Sequence, residues 1–511
     1  MRPATSGVSR LVAARGGQEG AALVEGASGR RVPWRALAAH AGRWADAVGD
    51  GRLPAGGRVG LRFADPLAMA PAYLAAVAAG LTVAPLDPAG PPSELLAAAG
   101  RLGLHAVVGG PEETGPVAEV LQDAGVGAWV DGDGGLQPLG PAGRPGEPGR
   151  GAALVLASSG TTGRPKLIPL TEAQLLHTAR GVVRHHGFTG ADRGYSPLPL
   201  FHINGLVVGV LASLVGGYPL VVDRRFSAST FWDVVAREGV TWVNLVPAIL
   251  AVLATAEPPP AAVVARVAFA RSASAPLAVP TLERFERRTG IPVVETYGMT
   301  EAASQITANP RPPGERRPGS VGLPVGLELR VADRDGRPLP PGEIGQVEIR
   351  GDNVVGAYWE PAGTRPAERP ARRPDGWLPT GDLGRLDGDG YLFLAGRADD
   401  VINRGGEKVY PREIEEVLLA DPAVAAAAVV ARPHPTVGEE PVAFVLPRAD
   451  RSAAHDLLRA ALTRRCEEQL SRFRRPAEIV IAASLPQGAN GKVRHAELRR
   501  RLAEAAAGPQ P

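Results

Sequence analysis

The sequence predicts an α/β protein in two unequal parts, a large N-terminal domain and a small α+β C-terminal one. Three observations carry that expectation. Apolar strand-like runs alternate with helical stretches over residues 32–245, the pattern of buried sheets flanked by helices. After Gly396 the character changes to short strands mixed with helices. The 511 residues also exceed one ordinary core, at roughly 100–200 residues per domain.

Residues 152–157 (AALVLA) read as a buried strand that runs into a Ser/Thr/Gly-rich segment, 158–166. Thr171-Glu-Ala-Gln174 is a capping-box pattern, followed by Leu175, Leu176, Ala179, Val182 and Val183 at helical spacing until Gly187. The segment 158–166 is therefore expected to be a strand-to-helix loop. Residues 205–222 form the longest apolar stretch, but Gly209, Gly216, Gly217 and Pro219 break it into a helix, a turn and a strand. That reading excludes a membrane span. Strands at 240–246 and 293–296 bracket a helix at 280–289. Tyr297 then falls just past a strand's carboxyl end, where ligands gather in open α/β sheets. The Gly/Pro-rich stretches 131–151 and 361–374 read as surface loops. Further on, Pro411 with Glu413, Glu415 and Glu416 opens a helix. Strands at 424–431 and 442–446, a helix at 453–473 and a strand at 478–482 follow. The expected domains are 1–398 and 399–511.

Composition narrows the function classes. Hydrophobic residues are 44% and charged residues 21% of the chain, which excludes a mainly disordered or fibrous protein. A net charge of +3 without acidic or basic runs leaves no nucleic-acid footprint. The lone Cys466 permits no intramolecular disulfide and no Cys-rich metal site. Neither terminus carries a targeting pattern, so a cytoplasmic protein without membrane insertion is expected.

Lysine usage is more pointed. Of 56 basic residues only three are lysine, Lys166, Lys408 and Lys492. An ammonium is a compact point charge, whereas guanidinium is a wide planar fork. A lysine retained in so arginine-rich a chain suits a tight anionic site, and all three fall within the motifs below.

The segment Ser158, Ser159, Gly160, Thr161, Thr162, Gly163, Arg164, Pro165, Lys166 holds four hydroxyls, two glycines and a lysine after a strand. Such a loop can wrap a polyphosphate, since glycines let backbone N–H groups approach, hydroxyls donate and the ammonium balances charge. Its spacing is not that of a Walker A loop. Here the chain resembles the adenylate-forming superfamily of acyl-CoA synthetases, peptide-synthetase adenylation domains and luciferases. Tyr297-Gly-Met-Thr-Glu301, Thr380-Gly-Asp-Leu383, Gly396-Arg-Ala-Asp-Asp400 with the following loop, and Asn490-Gly-Lys492 continue the resemblance in family order.

The resemblance implies a large multi-subdomain N-terminal domain of stacked sheets and a small mobile C-terminal domain. It implies ATP and CoA as co-substrates, Mg²⁺ as cofactor and a carboxylic acid as the group activated. Thr300 would bond the adenylate phosphate, and Glu301 would hold the metal. Asp382 would accept the ribose hydroxyls, with Arg397 assisting. Adenine would lie between the turn of Ser274 and Ala275 and the backbone of Glu295, Thr296, Tyr297 and Gly298. Lys492 would bridge the carboxylate and the α-phosphate. His202 would guard the acyl site. Asp399 matches the hinge, about which the small domain would turn to bring Gly405, Gly406, Glu407 and Lys408 to the CoA side.

Within the superfamily, Arg271-Ser-Ala-Ser274, Pro318-Gly-Ser-Val-Gly-Leu-Pro324 and Ile402-Asn-Arg-Gly-Gly-Glu-Lys408 resemble the oxalate–CoA ligase branch. That branch carries histidines where this chain has Asn204 and Ser304, which weighs against a dianionic acid. The acid pocket expected from the resemblance comprises His202, Asn204, Arg271, Ser274, Ser304 and Thr307, polar enough for a small or functionalised acid. A relative handing its adenylate to an amine or carrier protein is the main alternative, and a nucleotide-binding regulator with a dead site is a second. A homodimer is compatible with all of these.

Overall fold

The computed structural model describes residues 6–132, 135–141, 143–144, 146–158, 166–364, 368–448, 455–486 and 493–507. Two nine-stranded sheets dominate the N-terminal part. In one, Ala152–Ser158 and Thr82–Pro85 lie at the centre, flanked by Arg58–Arg62, Ala106–Gly109 and Gly127–Gly132 on one side and Lys166–Thr171 on the other. In the second, the strands Gly194–Ser196, Trp242–Leu245, Phe269–Ser272 and Val293–Met299 run parallel side by side. The largest apolar cluster joins residues of both sheets through the helices Trp34–Gly49, Pro66–Ala78 and Glu172–His186. Pro66–Ala78 is apolar all round and buried along most of its length, as expected of a helix sandwiched between layers.

A four-stranded antiparallel sheet follows, with order Glu328–Ala332, Gly345–Arg350, Leu378–Leu386, Leu392–Arg397. Beyond the turn Ala398–Asp400 lies a separate five-stranded sheet built on the hairpin of Val424–His434 and Gly438–Pro447. Among the described residues, no sheet takes strands from both sides of that turn. The fold is thus α/β, with a large N-terminal part and a small C-terminal one. No described helix is long and apolar enough to cross a membrane.

Several local expectations hold. Thr171 caps the helix Glu172–His186 with a full capping box, and Gly187 ends it in the left-handed conformation. Residues 205–222 form a helix, a turn and the strand Leu220–Val222, with the first turns π-helical over Gly205–Leu211.

Other expectations change. Segment 158–166 does not lead directly into a helix, because Lys166–Thr171 is a strand that folds back antiparallel on Ala152–Ser158, pairing Ser158 with Lys166. The reason is visible in Lys166-Leu-Ile-Pro-Leu-Thr171, whose Leu167, Ile168 and Leu170 are buried in the sheet. Tyr297 is not beyond a strand but inside one. Its strand pairs in parallel with Phe269–Ser272 as far as Glu295, then turns to an antiparallel partner, Ser304–Ala308. The stretches 131–151 and 361–374 each contain a strand, Gly135–Pro138 and Glu368–Pro370. The helix His495–Ala507 and the hairpin Ile402–Arg404 with Glu407–Val409 carry no signal used above.

The turn Ala398–Asp400 is tied to the last helix. Asp399 is exposed, but the next residue turns inward: Asp400 Oδ2 lies 3.2 Å from His495 Nδ1 and Oδ1 lies 2.7 Å from Arg499 Nη2. His495 Nε2 stands 4.0 Å from Glu415. The two carboxylates raise the His495 pKa against the opposing effect of burial.

Candidate active site

The strand Val293–Met299 brings the first group of predicted residues together. The Tyr297 hydroxyl donates to Asp382 Oδ2, and Arg397 Nη1 lies 3.2 Å from Asp382 Oδ1. Asp382 and Arg397 sit opposite each other across the antiparallel pair Leu378–Leu386 and Leu392–Arg397. The Asp382 N–H also donates to Thr380 Oγ1 at 3.1 Å. Burial, then the Asp382 charge, pushes the Tyr297 phenol well above its ordinary pKa, so it stays a donor. The result is a carboxylate held from two sides at a sheet corner, fit to accept from hydroxyl groups. Gly298 is required here, because a Cβ at that position would meet the Ser304 carbonyl oxygen at 1.7 Å.

Glu301 forms the second group. It sits in the turn Thr300–Ala302 and is buried, with Tyr358 Oη 3.3 Å from its Oε1. Lys166 places its ammonium 5.2 Å from the centre of the Tyr358 ring, and its charge acts on Glu301. Desolvation nonetheless raises the Glu301 pKa. Among the described residues this buried carboxylate has no ion pair, its hydrogen bonds being the Tyr358 hydroxyl and its own backbone N–H; such a hard oxygen donor fits Mg²⁺. The described residues contain no cluster of three metal-ligating side chains, so phosphate oxygens and water would complete the shell. The turn leaves through Ala303 and Ser304 at φ 52° and 102°, a strained exit that fixes where Thr300 and Glu301 stand.

Glu295 is 3% exposed, and among the described residues neither carboxylate oxygen has a partner of good hydrogen-bond geometry, the Leu277 N–H acting on it only weakly. Burial pushes its pKa up to about 7, against the pull of Arg412 on the C-terminal helix Pro411–Leu419. Because the folded value exceeds the ordinary 4.5, the folded state binds this proton more tightly. Stability is then greatest below pH 4.5 and falls as pH rises through 7, by about 3 kcal/mol in all. Glu295→Gln is expected to melt several degrees above wild type at pH 8, with the gap narrowing by pH 5. Equal gaps at both pH values in a thermal melt would refute this account.

The third group surrounds Arg271, which is fully buried. Its guanidinium donates to the Oδ1 atoms of Asn204 and Asn244 and to Gln305 Oε1. Asn204 in turn lies 3.4 Å from the hydroxyl of Ser274, a residue at φ 74° on the turn into Ala275. His202, two positions before Asn204, is half-buried with its ring centre 4.5 Å from that of Phe201. Ser304 is buried. Thr307 departs from the expected pocket: it is fully buried and its hydroxyl is committed to the Val321 carbonyl. Two positions earlier Gln305 reaches Arg271; a regular strand would put both residues on one face, but the pairing with Val293–Met299 shifts register between them.

Gly405, Gly406, Glu407 and Lys408 are all exposed, the glycines forming the hairpin turn at φ 61° and 90°. The Ser158 side chain, Ser159, Gly160, Thr161, Thr162, Gly163 and Lys492 lie outside the described residues. The sequence reading missed Asn244, Gln305 and Tyr358, which carry no motif, and Arg412, whose only mark is its place at a helix opening.

Residues 12–359 match the family model described as AMP-binding enzyme, more than half of the chain. This chain belongs to the AMP-binding enzyme family. Residues 413–492 of this AMP-binding enzyme match the family's C-terminal domain. It is 39% identical over 481 residues to the sulfoacetate–CoA ligase of Cupriavidus necator, covering 92% of each protein. It is 38% identical over 345 residues to the oxalate–CoA ligase of Arabidopsis thaliana, covering 67% of this chain and 66% of that one. Its structure resembles ATP-bound MatB from Rhodopseudomonas palustris with a TM-score of 0.86 at 29% identity, over 98% of this chain and 99% of the other. The enzyme is of the adenylate-forming, acyl-CoA synthetase type.

Proposed function

We propose that this enzyme is an ATP-dependent acid–CoA ligase that converts a small or functionalised carboxylic acid to its acyl-adenylate and then to the CoA thioester. The observation that carries the reading is the way one strand and its turn serve two carboxylates: Tyr297 on Val293–Met299 donates to Asp382 of the neighbouring sheet, and the turn that follows carries Glu301. Asp382, held by Tyr297 and Arg397, accepts the ribose hydroxyls. Glu301, beside Lys166 and Tyr358, holds Mg²⁺. That ion, when bound, neutralises phosphate charge as a Lewis acid. Adenine lies between the turn of Ser274 and Ala275 and the backbone of Glu295, Thr296, Tyr297 and Gly298. Thr300 bonds the phosphate, and the loop of Ser158, Ser159, Gly160, Thr161, Thr162 and Gly163 wraps the polyphosphate.

Adenylation has the acid's carboxylate oxygen attack the α-phosphorus while the bond to pyrophosphate breaks. Lys492 bridges both anions and stabilises the charge that develops. His202 screens the acyl carbon. After pyrophosphate leaves, the C-terminal domain, residues 399–511, turns about Asp399. The hairpin of Gly405, Gly406, Glu407 and Lys408 then lines the path of the CoA thiol, which attacks the acyl carbon and expels AMP.

The named activities of the relatives support CoA as the acceptor over an amine or carrier protein. Pyrophosphate release should appear on mixing enzyme, Mg²⁺, ATP and a panel of short acids, and mass spectrometry should find acyl-CoA when CoA is added. Acyl-adenylate that accumulates with CoA present but is consumed by amines would instead mark an amide-forming enzyme.

A further inference from the structure

Two opposite charges lie close together in the candidate site without pairing. Glu301 is buried, and the charge of half-buried Lys166 acts on it. Yet among the described residues the Lys166 ammonium forms no ion pair, with Glu301 or with any other carboxylate. Opposite charges attract more strongly as water is excluded, so a lysine beside a buried carboxylate is expected to close on it. The side chain in contact with both is Tyr358. Its ring centre lies 5.2 Å from Lys166 Nζ, and its hydroxyl lies 3.3 Å from Glu301 Oε1.

The Tyr358 ring is held from several directions. Its strand, Ala357–Trp359, runs between Lys166–Thr171 and Glu368–Pro370, pairing Trp359 with Leu167 on one side and Tyr358 with Arg369 on the other. Arg369 sets its guanidinium carbon 4.5 Å from the ring centre and is itself paired with Glu360 at 2.9 Å. The stretch before the strand is tied to the turn that carries Glu301. The Val355 N–H donates to the Glu301 carbonyl at 2.8 Å, and Nδ2 of buried Asn353 donates to the Ala302 carbonyl at 3.0 Å. Tyr358 and Glu301 are therefore anchored together, whereas Lys166 arrives from a separate strand. A phenol suits a place between the two charges. Its ring attracts an ammonium without neutralising it, and its hydroxyl donates to a carboxylate without removing the charge a metal needs.

We infer that Tyr358 is a positioning residue that keeps Lys166 and Glu301 from pairing with each other, so that the ammonium stays available to the triphosphate and the carboxylate to Mg²⁺. The inference rests on the acid–CoA ligase reading and adds the device that keeps its two phosphate-side charges separate before ATP arrives. The ring serves Lys166 and the hydroxyl serves Glu301, so the two halves of the side chain have separable effects.

The test is calorimetry of ATP binding to the full-length enzyme, once in EDTA and once in excess Mg²⁺, with a thermal melt of each variant. Wild type should gain affinity from the metal. Tyr358→Phe keeps the ring and loses the hydroxyl. Its affinity in EDTA should stay within about two-fold of wild type, because the ring still faces Lys166. Its gain from Mg²⁺ should fall by about 10-fold, as when the partner of a metal ligand is removed. Tyr358→Leu also removes the ring and lets the two charges close, so affinity in EDTA should drop as well and the gain from Mg²⁺ should nearly vanish. Adding Lys166→Met to Tyr358→Leu takes away the cation that pairs with Glu301, and the gain from Mg²⁺ should return to the level of Tyr358→Phe. A general loss of packing would not be repaired by a second loss, so this recovery separates positioning from structure. Where Tyr358→Leu lacks a cooperative melt, the contrast between EDTA and Mg²⁺ in Tyr358→Phe decides alone. A wild-type gain in Tyr358→Leu, no recovery on adding Lys166→Met, or equal losses in both media for Tyr358→Phe would overturn the inference with the acid–CoA ligase reading intact. A wild type that gains nothing from Mg²⁺ and releases no pyrophosphate with any acid would remove both.

Discussion

Replacing Lys492 with alanine is expected to cut pyrophosphate release from acid and ATP by about 10²- to 10³-fold, the cost of losing one preorganised charge donor. Thioester formation from supplied acyl-adenylate and CoA should stay within a few-fold of wild type. The asymmetry follows from the chemistry. In adenylation two anions, a carboxylate and a triphosphate, must approach each other, and a compact ammonium between them offsets their repulsion. In thioester formation the adenylate already exists and the attacking group is a thiol. Rapid-quench measurement of the two half-reactions separates them. Equal losses in both would refute an exchange of C-terminal surfaces between the steps.

Glu301→Gln is the second large effect. It keeps the shape of the side chain and its contact with Tyr358 but removes the charge, so the Mg²⁺ proposed to neutralise the phosphates would lose its carboxylate ligand. Losing several kcal/mol of charge stabilisation corresponds to a fall in adenylation of about 10²- to 10³-fold. Raising the Mg²⁺ concentration should recover part of it. Calorimetry of ATP binding with and without Mg²⁺ provides an independent check: the wild type should gain affinity from the metal and the variant should gain little. A variant as active as wild type at low Mg²⁺ would assign the metal to other residues.

Much of this was legible in the sequence, and for a definite reason. Thr300, Glu301, Asp382 and Arg397 lie in short motifs whose residues are neighbours in the chain, so each motif announces itself without knowledge of the fold. The capped helix after Thr171 was equally local. What was hidden depends on pairing. Nothing in Lys166-Leu-Ile-Pro-Leu-Thr171 shows that it folds back on Ala152–Ser158 instead of opening a helix. Arg271 could be placed in the acid pocket by resemblance, yet its set of neutral amide acceptors emerges only when Asn204, Asn244 and Gln305 converge from three separate elements. Thr307 shows the opposite failure, since a hydroxyl expected in the pocket is spent on the Val321 carbonyl.

The tether between Asp400 and the last helix has a mechanical consequence. Asp400 is next to the proposed pivot, Asp399, and its partner His495 follows Lys492 by three positions. The turn Ala398–Asp400 and the start of the last helix are thereby bolted to one frame, so any rotation of the chain at Asp399 would carry that helix with it. The bolt is strongest while His495 is protonated, so its grip loosens as the medium becomes alkaline past that group's elevated pKa.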